Sequence, residues 1–124
     1  MLATRLFEHA SDAKPVAAGT TIFHTGDERD YMYAVLEGQV DIVVNGRVVE
    51  TVVSGGIFGE MALIEKDQRT ATAIARTDAT VVAVDERRFL FLVQQTPNFS
   101  LHVMRVLSDR LRRMDEHFVR ATRS

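Results

Sequence analysis

From Thr21 to Val84 the chain never stays apolar for long before a glycine, aspartate or asparagine interrupts it. The runs are Thr21–Phe23, Tyr31–Leu36, Gln39–Val44, Val48–Val53, Thr70–Ala75 and Thr80–Val84. Segments this short cannot present a long amphipathic helical face, and many of them at close spacing predict the strands of a sandwich or barrel. Asn45-Gly46, between Val40–Val44 and Arg47–Val49, predicts a two-residue hairpin because both residues accept positive φ.

After Asp85 the period changes. Glu86–Gln95 predicts a helix, Pro97 breaks it, and a longer helix is expected over about Asn98–Arg120. In that helix Met104, Leu107, Leu111, Met114 and Phe118 recur at intervals of three and four, a heptad-like seam. Such a stripe packs either on its own domain or against a second copy. A short N-terminal helix is expected around Thr4–Ser11.

The composition, 46% hydrophobic and 26% charged in 124 residues, suits one folded domain that needs no staples. Without cysteine the chain has no disulfide framework and no thiolate metal site, which fits a reducing compartment. Glu8, His9, Asp12 and Lys14 leave no apolar signal-peptide core, and no apolar run is long enough for a bilayer. A cytoplasmic protein without a membrane partner is therefore expected. A net charge of −2 gives no overall attraction to nucleic acid.

The chemistry concentrates in Gly55-Gly56-Ile57-Phe58-Gly59-Glu60-Met61-Ala62-Leu63-Ile64, followed by Arg69-Thr70-Ala71. Gly59 allows close backbone approach, the amides after Glu60 can form an anion-binding nest, and Arg69 adds a permanent forked charge. A carboxylate beside an anion is repulsive unless it accepts hydrogen bonds, and a ribose 2′-hydroxyl is a common donor of that kind. The loop therefore reads as a phosphate site with a sugar clamp.

These residues resemble the phosphate-binding cassette of the cyclic nucleotide-binding domains found in bacterial catabolite-activator-type regulators, cyclic-nucleotide-dependent kinases and gated channels. The match runs through Phe58-Gly59-Glu60-Met61-Ala62-Leu63-Ile64 and Arg69-Thr70-Ala71. A second signature, Gly26-Asp27-Glu28-Arg29-Asp30 followed by Tyr33–Val40, resembles that family's turn leading into a strand and another glycine turn. The resemblance implies a mainly β fold with flanking helices, a double-stranded β-roll of the jelly-roll type with few exposed strand edges, followed by a long C-terminal helix. Residues 1–124 are then one domain, with the roll over about 19–85 and helices over about 86–95 and 98–120.

It also implies the ligand-binding residues Phe58, Gly59, Glu60, Met61, Ala62, Arg69 and Thr70. Glu60 is expected to accept the ribose 2′-hydroxyl and Arg69 to pair with the cyclic phosphate. The amides of Ala62 and Thr70 are expected to donate to the remaining oxygens. The implied ligand is cyclic AMP or cyclic GMP, with cyclic AMP favoured, and no further cofactor or metal. Arg110, Arg113, Met114 and His117 are candidates to cap the base. Gln68 stands where the family often has proline, which loosens the turn presenting Arg69. Met114 falls near a polar base-reading position, and Thr70 leaves the choice of base open.

The implied function is a non-enzymatic sensor that relays ligand binding through its C-terminal helix to an unidentified effector protein, as a homodimer through that helix. The alternative is a nucleotide-free dimerisation or partner-docking module of the same fold. A helix-turn-helix does not follow within this chain, so direct DNA binding is not expected. Arg105, Arg110, Arg112, Arg113, Arg120 and Arg123 are interspersed with Asp109, Asp115 and Glu116, as on a solvated helix face. His9, His24, His102 and His117 are too scattered for a cupin-like metal site, and Ser54, Ser100 and Ser108 have no base to activate them. Asp27 and Asp30 read as turn formers.

Overall fold

The computed structural model describes residue 7 and residues 10–27, 31–60 and 68–123, with side chains through residue 113. Eight strands come first: β1 (Lys14–Val16), β2 (Thr21–Phe23), β3 (Met32–Glu37), β4 (Gln39–Val44), β5 (Arg47–Val53), β6 (Ile57–Phe58), β7 (Thr72–Ala75) and β8 (Ala79–Val84). Helices α1 (Glu86–Gln95) and α2 (Asn98–Arg123) follow. The six expected strands are present to within a residue or two, and both expected helices form. The N-terminal helix falls almost wholly outside the described residues, where only Phe7 is seen in helical conformation.

Two strands were not anticipated. β1 carries Pro15 at its centre, which reads as a breaker, yet β1 lies at a sheet edge where a missing N–H is tolerated. It starts the roll ahead of residue 19. β6 has only two residues, too few to show a period, and forms the opposite edge of the same sheet.

The strands form two antiparallel four-stranded sheets, ordered β1-β8-β3-β6 and β2-β7-β4-β5. Two sheets have edges, and β5 exposes Val48, Val49 and Val53 at one of them. The β4–β5 connection has both central residues at positive φ, 51° for Asn45 and 76° for Gly46, as the two-residue hairpin requires. Between the sheets Phe23, Val35, Val40, Val52, Phe58, Ala73, Ala75 and Val81 form one core. On the outer face of the first sheet Met32, Ala34, Ile57, Val82 and Val84 pack with Phe7, Phe99 and Val103 as a second. Burial on both faces explains why β8 reads Ala-Thr-Val-Val-Ala-Val rather than alternating cleanly.

The helices are positioned by caps and by that second core. Asp85 caps α1, its carboxylate accepting the amide of Arg88 at 2.8 Å. Arg88 also reaches Asp12 at 2.6 Å, which tethers the N-terminal segment and holds the Asp12 carboxyl below its usual pKa. Along α2, Phe99 and Val103 are buried while Val106 and Leu107 pack against the same core, which lays the helix along the roll. The seam anticipated from the sequence divides here. Leu107 faces the roll, whereas Met104 and Leu111 face solvent together with Leu101. The side chains of Met114 and Phe118 lie outside the described residues.

Gly38 joins β3 to β4 at φ +83°, and an added Cβ would lie 2.2 Å from the Asp78 carbonyl oxygen. Gly38→Ala is therefore expected to lower stability by about 3 kcal/mol, read as a drop in the urea midpoint. His102 on α2 has its Nε2 buried with no hydrogen-bond partner among the described residues. Burial, reinforced by the nearby Arg105 cation, lowers its pKa. The unfolded chain therefore takes up a proton that the native state resists. Stability from this source is complete above the unfolded value of about 6.5 and is lost as pH falls below it. Thermal melts from pH 7.5 to 5.5 should show a fall in midpoint that is shallower in His102→Gln.

Candidate functional site

At the end of β6, Phe58 enters the inter-sheet core and stacks on Tyr33, with centroids 5.2 Å apart and planes 14° from parallel. Phe23 joins them, 6.0 Å from each ring. Gly59 follows at φ +72°, turning the chain so that Glu60 points inward. Among the described residues, Glu60 and Arg69 are the two charged side chains that are buried, each only 6% exposed.

Arg69 lies across the face of Phe23, its guanidinium carbon 3.9 Å from the ring centroid. Its Nη1 donates to the Gly59 carbonyl at 3.1 Å and its Nη2 to the Tyr31 carbonyl. A flat cation between an aromatic face and two carbonyls is solvated by fixed dipoles instead of water. A Cβ on residue 59 would sit 2.7 Å from Nη1, so glycine is required there for contact as well as for φ.

The backbone of Arg69 is held as firmly. Its amide donates to the Asp27 carbonyl at 2.7 Å, and its carbonyl accepts from the Gly26 amide at 2.8 Å. Asp27 closes its own turn by accepting the His24 amide at 2.8 Å, the turn-forming role expected of it. The two sequence signatures are therefore in direct contact, and the Gly26-Asp27 turn presents Arg69. This pairing holds the main chain at Arg69, while the segment before Gln68, where the resemblance expected a looser turn, lies outside the described residues.

Glu60 has an unexpected partner. Its Oε1 accepts from Nη1 of Arg110 on α2, while Nη2 of the same guanidinium donates to the Ile57 carbonyl. The remaining edge of Arg110, Nε, donates to Glu50 Oε2 on β5 at 2.8 Å. Glu50 Oε1 also accepts from Arg113 at 3.2 Å. The sequence offered Arg110 and Arg113 as base-capping candidates; here both tie α2 to β5, and Arg110 also reaches the loop.

The structure brings Phe58, Gly59, Glu60 and Arg69 into one region, with Thr70 exposed beside them. Met61, Ala62 and the nest expected of the amides after Glu60 lie outside the described residues, as do Glu28, Arg29 and Asp30. The side chains of Met114 and His117 lie outside them as well. Sequence reasoning missed Phe23 as the surface on which Arg69 rests, the Tyr31 carbonyl, and Glu50. A signal for Glu50 was available. It shares a face with Val52, so it is an acid at the inward-facing phase of a strand.

The β-roll thus buries an acid and an arginine side by side, with the acid clasped from the middle of α2. The family model for the cyclic nucleotide-binding domain matches residues 13–96, and the chain belongs to that family. It is 41% identical over 78 residues to the cAMP-dependent protein kinase regulatory subunit of Eremothecium gossypii, covering 63% of this chain and 17% of that protein. It is 35% identical over 107 residues to the Pycsar effector protein XpPycTIR of Xanthomonas perforans, covering 86% of this chain and 35% of the relative. The chain thus spans a minor part of the curated relatives it matches. Among solved structures, the Thermus thermophilus catabolite activator protein superposes with a TM-score of 0.76 at 26% identity, covering 98% of this chain and 57% of that one. Among the described residues, no helix is long and apolar enough to cross a membrane.

Gly59→Ala is expected to destabilise the fold by about 2 kcal/mol, from strain at positive φ and displacement of the Arg69 guanidinium. An unchanged urea midpoint would show that the guanidinium is not packed against residue 59.

Proposed function

We propose that this domain binds a cyclic nucleotide, cyclic AMP in preference to cyclic GMP, and relays binding by a change in how α2 packs on the roll. The observation that carries this reading is the burial of Glu60 and Arg69, opposite charges at the two positions assigned to ribose and phosphate. Glu60 accepts the 2′-hydroxyl and Arg69 pairs with the cyclic phosphate. Phe58, Gly59, Met61, Ala62 and Thr70 complete the site. The preference for cyclic AMP is supported by the named ligand of the 41%-identical kinase regulatory subunit.

Binding and response are coupled because α2 is attached to the site itself. Arg110 reaches from the helix to Glu60, so a ligand that engages Glu60 changes the balance of α2 positions. The size of the response is set by the difference in ligand affinity between those positions. The domain performs no chemistry in this reading. It acts in the cytoplasm, where its cysteine-free composition fits, and signals to an effector protein.

The exposed stripe Leu101, Met104 and Leu111 on α2, respectively 47%, 60% and 62% exposed, supports a homodimer through this helix. The same stripe favours the second reading, a docking or dimerisation module that binds no nucleotide.

Calorimetric titration of ligand-stripped protein with cyclic AMP and cyclic GMP separates the two. Micromolar or tighter binding of either supports the sensor, and silence for both leaves the docking module. Arg69→Leu is expected to weaken binding at least about a hundredfold, the loss of a buried charged partner worth about 3 kcal/mol. The variant should also lose about 2 kcal/mol of stability, because the Gly59 and Tyr31 carbonyls lose their donor. It should remain folded by circular dichroism, and unchanged affinity in folded variant would overturn the assignment of Arg69.

A further inference from the structure

Arg110 is satisfied on every edge of its guanidinium: Nε by Glu50, Nη1 by Glu60 and Nη2 by the Ile57 carbonyl. All three side chains are largely shielded, with 17% of Arg110, 17% of Glu50 and 8% of Glu60 exposed. Only Oε1 of Glu60 is engaged, so Oε2 is without a hydrogen bond among the described residues. Arginine presents its donors as a rigid planar fork, and fixing one edge fixes the direction of the others. Glu50 grips the edge opposite the loop.

We infer that Glu50 is a positioning residue for recognition of the ligand's 2′-hydroxyl. It orients Arg110, and Arg110 in turn holds Oε1 of Glu60 so that Oε2 faces the incoming hydroxyl. This rests on the cyclic nucleotide reading above and adds a residue of β5 that lies outside the sequence signatures. The arrangement also explains an acid at an inward phase of β5. Without Arg110 the largely shielded Glu50 carboxylate would keep only the exposed Arg113 as partner, and without Glu50 the long Arg110 side chain would regain rotamer freedom. Glu60 would then lose the partner that aims it.

The test uses calorimetry with cyclic AMP and its 2′-deoxy analogue, which lacks the hydroxyl assigned to Glu60. Wild-type protein should favour cyclic AMP, and Glu50→Gln should weaken cyclic AMP binding about tenfold while changing the 2′-deoxy analogue less than about twofold. Glu50→Asp, which keeps the charge, should recover part of that discrimination. It also supplies the answer if the glutamine variant does not fold. The double variant Glu50→Gln, Arg110→Gln should bind no more weakly than Arg110→Gln alone, because Glu50 acts through Arg110. Equal losses for both ligands in Glu50→Gln, unchanged discrimination, or additive losses in the double variant would overturn the role of Glu50 and leave the sensor reading standing. Wild-type protein that binds neither ligand overturns both.

Discussion

Burying a guanidinium away from water costs several kcal/mol unless fixed dipoles replace its hydration, and much of this fold is arranged around doing so for Arg69. The ring of Phe23 supplies one face, and the carbonyls of Gly59 and Tyr31 supply two acceptors. The Gly26-Asp27 turn fixes the main chain. These groups come from the end of β2, the approach to β3 and the end of β6. One side chain therefore ties three distant parts of the chain together, and the same geometry that shields the charge sets it beside the Glu60 loop.

The roll makes this possible because its first sheet is covered on both faces. Tyr33, Val35 and Val81 point between the sheets, while Met32, Ala34, Val82 and Val84 point outward to the helices. A sheet with two apolar faces needs a second layer, and α2 provides it through Phe99 and Val103. Once those residues are seated, helical periodicity carries Arg110 to the same side about two turns after Val103. There it meets β5 and the loop. Packing at the start of α2 thus determines which side chain reaches the site.

α2 consequently presents three chemistries along one helix. Its inner face is a packing surface, its Arg110 and Arg113 are polar clasps on Glu50, and Leu101, Met104 and Leu111 remain exposed on another side. Apolar contacts are non-directional and hold α2 by fit alone. The clasp is directional. It holds Arg110 against Glu50, Glu60 and the Ile57 carbonyl at once.

The sequence by itself determined six of the eight strands, the Asn45-Gly46 hairpin, the two helices and the identity of Glu60 and Arg69 as the charged residues of interest. These follow from periodicity, from turn residues that tolerate positive φ, and from a short motif whose chemistry is written in consecutive residues. Residues far apart in the chain were less legible. Pro15 hid β1 because its tolerance depends on lying at a sheet edge, and β6 was too short to carry a period. The seam on α2 looked continuous because periodicity gives which residues share a face, not which neighbour that face meets. Only the tertiary structure decided that Leu107 turns inward while Met104 and Leu111 stay exposed. Likewise, only the tertiary structure joined the Gly26-Asp27 turn to Arg69 and set Arg110 between Glu50 and Glu60. Contacts across 50 or 60 residues depend on how the sheets and helices pack, and no local pattern encodes that distance.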